Sequence, residues 1–171
     1  MNSEFRSGAR RFRTAPYVML GLALIGIADA FYDSYAIYNG LQLWCPPPID
    51  GCNTVVSSPY AHIFGLPLGY FGVAYYLLMF GLAASLALAP ISGSLRLGTL
   101  IGSAIGVVFS MYFMYIQITH IHAFCIYCLL SGVLTLLLFV TALRHYAATR
   151  MHPKPAASDR GRAAPMVKVP Q

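Results

Sequence analysis

Four stretches of this chain, Pro16 to Ile37, Leu68 to Ala89, Leu97 to Thr119 and Phe124 to Leu143, are long and apolar enough to cross a lipid bilayer. A helical crossing takes about 20 mainly apolar residues. Their Tyr and Phe content is high for helices, but in lipid every backbone polar group must bond within its own segment, so helix wins over strand. Composition agrees. Of 171 residues 58% are hydrophobic and 9% charged, with mean hydropathy +0.65, against roughly 25% charged in soluble domains. So few charges cannot hydrate a soluble enzyme of this size. A disordered chain needs the opposite balance. The net charge of +6 does not point to nucleic acid, because the basic residues avoid the middle of the chain.

The cations also orient the spans. Arg6, Arg10, Arg11 and Arg13 precede the first; Arg96 sits in the short turn after the second; Arg144, Arg150, Lys154, Arg160, Arg162 and Lys168 follow the fourth. With four spans, all eleven basic residues fall on one side, which the positive-inside rule makes cytoplasmic. Both termini are therefore expected inside and the first connection outside. That connection, Tyr38 to Pro67, carries five prolines and reads as a structured outer loop with one short surface helix. The expected organisation is a basic N-terminus (1–15), a four-helix membrane domain (16–145) with its outer loop at 38–67, and a disordered basic tail (146–171). Ala28-Asp29-Ala30 behind Arg10-Arg11 mimics a signal-peptide cleavage site, but the Asp inside the motif and the apolar run beyond it favour an uncleaved span.

Four cysteines form two pairs, Cys45 with Cys52 in the loop and Cys125 with Cys128 at the start of the last span. Both pairs lie on the side where disulfides persist. Two sulfurs three residues apart share a helical face, and Cys125 sits near a helix N-terminus, where free amides lower a thiol's pKa. Three readings follow. Two structural disulfides are one, although a bridge inside the first turn of a helix staples almost nothing. A four-thiolate zinc site is another, with poor spacing for it. The third is a relay, in which electrons enter from a soluble dithiol at the loop and leave to a lipid-soluble acceptor at the helix.

The run Cys52-Asn53-Thr54-Val55-Val56-Ser57-Ser58-Pro59-Tyr60, then Phe64-Gly65-Leu66-Pro67, Phe71-Gly72 and Cys125-Ile126-Tyr127-Cys128, resembles the vitamin K epoxide reductase family over residues 17 to 145. The DsbB-type thiol oxidases resemble the chain in size and spans, but carry their pairs in the reverse order. The resemblance implies an all-α integral membrane protein, a four-helix bundle around a quinone (ubiquinone or menaquinone), with the outer loop as a lid. It implies that Cys45 faces a partner thiol, Cys52 attacks Cys125, and Cys128 reduces the quinone. Ser58 falls at the family's Ser/Thr position beside the quinone. The animal enzymes that reduce vitamin K epoxide carry an Asn and a Tyr where this chain has Leu68 and Gly132. That favours the bacterial role, oxidation of a thioredoxin-fold partner, expected here as a separate protein in the periplasm.

Other residues carry two readings each. Asp29 and Asp33, four apart on one face of the first span, suit proton delivery or partner contact, or a water-exposed rim. Asp50 is a solvated loop acid or tunes Cys52. Gln117 bonds a quinone oxygen or a neighbouring helix. Phe71, Met111, Met114, Tyr115 and Phe124 line an aromatic quinone pocket or simply pack. His62, His120 and His122 sit at the outer interface, with no spacing that fixes a metal site. Gly102 and Gly106 read as helix packing, and Trp44 as an interface anchor or docking side chain. The expected protein is a thiol-disulfide oxidoreductase of a bacterial inner membrane that passes electrons from its partner to the quinone pool. The rivals are a quinone or quinone-epoxide reductase and a non-catalytic membrane protein with structural disulfides.

Overall fold

The computed structural model describes residues 2–47, 51–89 and 92–151. Helix α1 spans Asn2–Tyr38, α3 Leu68–Leu88, α4 Gly93–Ile116 and α5 Ile126–Met151; a short α2, Cys52–Val56, lies in the loop between α1 and α3. Four segments, Thr14–Tyr38, Leu68–Leu88, Gly93–Ile121 and Ile126–Ala148, are long and apolar enough to span a membrane. Helix α1 packs on α3 and α5, and α4 closes the ring by packing on α5 and α3.

Element ends follow local chemistry. Helix α3 starts directly after Pro67, whose fixed φ suits the approach to a helix. Helix α5 is described from Ile126 to Met151, past the expected boundary at residue 145. Helix α1 likewise starts at Asn2 rather than at Pro16, which it accommodates inside. The part of the expected tail from residue 152 onward, and Asp50, lie outside the described residues. Among the described residues the loop between α1 and α3 holds the short helix α2, a 3-10 turn at Pro59–Ala61 and a two-stranded hairpin. Strand β1 (His62–Ile63) pairs antiparallel with β2 (Leu66–Pro67) across Phe64-Gly65. Both turn residues have positive φ, 53° and 79°, as a tight type I′ hairpin turn requires. The third span does not end at Thr119. It passes into a π-helical turn, Gln117–Ile121, and only residues 122–125 remain as the link to α5.

Apolar side chains cover the outside. Leu24, Leu77, Val108 and Leu136 are each about half exposed or more, a surface suited to lipid rather than water. Inside, Met19, Ala23, Tyr76, Met79, Leu134 and Leu138 form one buried cluster. Between helices in lipid, close packing and hydrogen bonds replace the hydrophobic effect as the adhesive. Tyr76 supplies both. Its hydroxyl meets Ser131 Oγ at 2.8 Å and donates to the Ser131 carbonyl at 3.0 Å, tying α3 to α5. Its ring lies against Gly26 of α1, where an added Cβ would collide with it. Ser110 and Thr135 join α4 to α5 at 3.0 Å. Of the two glycines read as packing residues, Gly102 faces Met79, whereas Gly106 makes room for the Tyr75 hydroxyl.

Gly26→Val is therefore expected to displace the Tyr76 ring and destabilise the bundle by about 1–3 kcal/mol, read as a lower thermal unfolding midpoint in detergent. An unchanged midpoint would show that this seat does not hold the bundle.

Candidate functional site

The site is built where the α1–α3 loop meets the α4–α5 link. Cys52 and Cys125 are both fully buried, 0% exposed, in one cluster with Ala36, Leu43 and Val55, and Cys45 and Cys128 pack against it. Cys45 and Cys52 are joined as a disulfide with Cα atoms 6.2 Å apart, and Cys125 and Cys128 are free thiols. Three contacts seat the loop. Gly51 presses on the link so closely that a Cβ would stand 2.8 Å from the Phe124 carbonyl oxygen and 2.9 Å from its nitrogen. The Asn53 side chain clasps the Leu43 backbone from both ends, accepting from its N–H at 2.9 Å and donating to its carbonyl at 3.2 Å. The Tyr127 hydroxyl donates to the Trp44 carbonyl at 2.8 Å, fastening the residue before Cys45 to the helix that carries Cys128.

Cys125 stands just ahead of α5 and its carbonyl accepts the first helical hydrogen bond, from Leu129 N–H at 3.0 Å. Its own N–H donates to Gln117 Oε1 at 3.0 Å. Gln117, 3% exposed, can do this because the π turn beginning at that residue carries its side chain back under the link; such turns recur at functional sites. A hydrogen bond from the Cys128 thiol holds the Cys125 thiol below the ordinary cysteine range.

Two cavities share the Cys128 wall. A small one of about 40 Å³ lies under the loop, between Ser58, Tyr60, Asp33, Gln117 and Cys128. The larger, about 470 Å³, runs down between the helices from Cys128, Asp33 and Gln117 past Phe113 to Tyr75 and Gly106. Its walls also include Phe71, Ile105 and Phe109, which are 40%, 50% and 55% exposed, so it opens sideways between α3 and α4 toward lipid. Two buried oxygens on its walls, Asp33 Oδ1 and Tyr75 Oη, have no hydrogen-bond partner among the described residues. An apolar pocket of this size with a few polar groups is the ordinary form of a small-molecule site. The side opening and the two unpartnered oxygens fit a flat, lipid-soluble molecule with polar oxygens, as a quinone is.

The structure sorts the sequence-predicted contacts. Phe71, Met114 and Gln117 line the large cavity. Ser58 lines only the small one, and its hydroxyl donates to the Val55 carbonyl at 2.7 Å. Met111 and Tyr115 do not line the cavity. They are 68% and 59% exposed and stand about 200° around α4 from Phe113, two residues away on either side. Phe124, 45% exposed, contributes its backbone to the loop seat and not its ring to the cavity. Sequence reasoning missed Tyr75, Phe109 and Phe113, along with Gly51, Asn53 and Tyr127. The Cys52-Asn53 step with Gly before it was a visible signal for two of these. Of the histidines, His120 packs its ring on Tyr60 at 5.5 Å, and His62 and His122 are exposed.

In a chain stripped to Cys52 and Cys125 by Cys45→Ser and Cys128→Ser, mild oxidation is expected to join the two remaining sulfurs. Adding Gly51→Val should suppress that bond about tenfold, a change of roughly 1.4 kcal/mol, scored by free-thiol count and peptide mass. Equal yields with and without the Gly51→Val change would mean that the glycine seat does not set the approach.

A model of the vitamin K epoxide reductase family matches residues 17–143. Over 131 residues the chain is 30% identical to thiol-disulfide oxidoreductase LTO1 of Arabidopsis thaliana, a match that covers 68% of this chain and 32% of that protein. The chain thus spans about a third of the length of that curated relative. With a family match over most of its length, four helices able to span a membrane and its cysteine pairs gathered at one end of the bundle, this multi-pass membrane protein belongs to the vitamin K epoxide reductase family.

Proposed function

We propose that the chain is a membrane thiol-disulfide oxidoreductase that takes two electrons from a thioredoxin-fold dithiol and delivers them to a quinone, ubiquinone or menaquinone. The observation that carries this reading is the position of Cys128. It belongs at once to the cluster that holds all four cysteines and to the wall of the apolar cavity. The relative's name, thiol-disulfide oxidoreductase, supports the same chemistry.

In this mechanism the half-buried Cys45 is the sulfur a partner thiolate reaches, and Cys52 is released as the attacking thiol. Cys52 and Cys125, shut in one dry cluster, exchange without competition from water or bulk thiols. Gln117 accepts the Cys125 backbone N–H and so holds that residue at the head of α5. Cys128 faces the cavity, where Phe71, Phe113 and Tyr75 would hold the ring. A bound quinone supplies an acceptor for two electrons and two protons. Leu68 lines both cavities and offers no side-chain hydrogen bond, which supports a quinone rather than an epoxide as substrate. The cation distribution supports an inner-membrane orientation with both termini cytoplasmic and the cysteines at the outer face.

Reduced protein freed of reductant and given stoichiometric quinone without oxygen is expected to form one quinol for each two thiols lost. Cys128→Ser should abolish this. No quinol from a protein with four titratable thiols would overturn the reading. Cys45→Ala is expected to remove oxidation of a thioredoxin-fold partner while leaving quinone reduction by a small dithiol largely intact. Equal loss of both activities would show that Cys45 is not the partner-facing sulfur.

A further inference from the structure

We infer that Asp33 is the proton relay between the cysteine pair and the bound quinone, an inference that rests on the quinone reading above. Asp33 lies on α1 one turn above Asp29, in a segment that spans the membrane. A carboxyl there is expensive and calls for a function. Its surroundings are specific. Asp33 and Cys128 are both on the walls of the small cavity under the loop and of the large cavity between the helices. Asp33 Oδ2 approaches α3 at Gly69, where a Cβ would stand 3.2 Å from it. The other oxygen, Oδ1, is buried and has no hydrogen-bond partner among the described residues. A buried carboxyl oxygen is not left unpaired without a reason, and a ligand or a travelling proton supplies one.

The chemistry needs such a group. When the Cys125–Cys128 dithiol becomes a disulfide, the S–S bond forms and two S–H bonds break. The two electrons and two protons released are those that convert quinone to quinol, so no further reactant is required. The electrons pass at Cys128, but the protons must move from sulfur to the quinone oxygens through an apolar space. Asp33 takes the Cys128 proton on one oxygen, passes it to the quinone oxygen, and returns to its starting state. The second proton, released from Cys125 as the disulfide closes, follows over the same carboxyl. Among the described residues no other carboxyl or histidine lines both cavities; Asp29 lines only the larger.

The test compares single turnovers of reduced protein with a short-tailed ubiquinone, without oxygen. Asp33→Asn keeps the shape and removes the relay. It is expected to slow quinol formation about 100-fold, the usual size of one proton-transfer contribution. The slowing should persist at saturating quinone, and reduction of the Cys45–Cys52 disulfide by a small dithiol should stay at the wild-type level. Asp33→Glu should recover most of the rate. Quinol formation by Asp33→Asn near the wild-type rate would overturn the relay, as would a loss of rate that saturating quinone restores. Should Asp33→Asn fail to fold, the wild-type chain in heavy water decides. A relay predicts slower quinol formation at unchanged quinone binding, and no slowing overturns it. A wild-type chain that makes no quinol at all would instead sink the quinone reading itself.

Discussion

The cysteine-bearing end of this protein depends on one contact between two stretches of backbone, Gly51 of the loop on Ala123 and Phe124 of the α4–α5 link. Nothing larger than hydrogen fits between them. The contact puts the start of α2 beside the start of α5, and those two starts are where Cys52 and Cys125 stand. The Asn53 clasp on Leu43 and the Tyr127 bond to Trp44 then fix the rest of the loop to the same platform. A loop held only by apolar contact would slide at a membrane surface. One held through backbone polar groups has a single register.

The membrane part obeys a different rule with the same residues. Lipid tails are as apolar as Leu, so burial alone does not tell a helix where to sit. Helices are located by glycine seats for aromatic rings, Gly26 under Tyr76, and by hydroxyl pairs between neighbours, Tyr76 with Ser131 and Ser110 with Thr135. The packing is tight where α1, α3 and α5 meet and open between α3 and α4. The cavity and its side opening lie in that gap.

Much of this was legible beforehand, and the reasons are physical. Length and hydropathy dictate spans in lipid, and the cysteine motifs are specific enough to carry the family. The face of α4 that turns inward was not legible. In a soluble helix polar residues mark the outside, but here Met111 and Tyr115 outside are as apolar and aromatic as Phe109 and Phe113 on the cavity wall. Gln117 was visible as the one amide of its span, yet its partner depends on a π turn that no residue pattern announces. The place of Ser58 in a motif points to a position beside the ligand. Its hydroxyl donates to the Val55 carbonyl, and the residue lines the small cavity beside Cys128. Helices α1 and α5 extend beyond the spans expected from hydropathy, because span length marks the edge of lipid and not the end of a helix.

The complete burial of Cys52 and Cys125 has an electrical meaning. In the relay proposed above, two electrons would need insulation from solvent, and the loop cluster would be that sheath. Only its two ends are stripped, at Cys45 toward the aqueous side and at Cys128 toward the lipid-facing cavity. In that proposed relay, charge entering at one end would leave at the other, with close packing as the barrier to leakage.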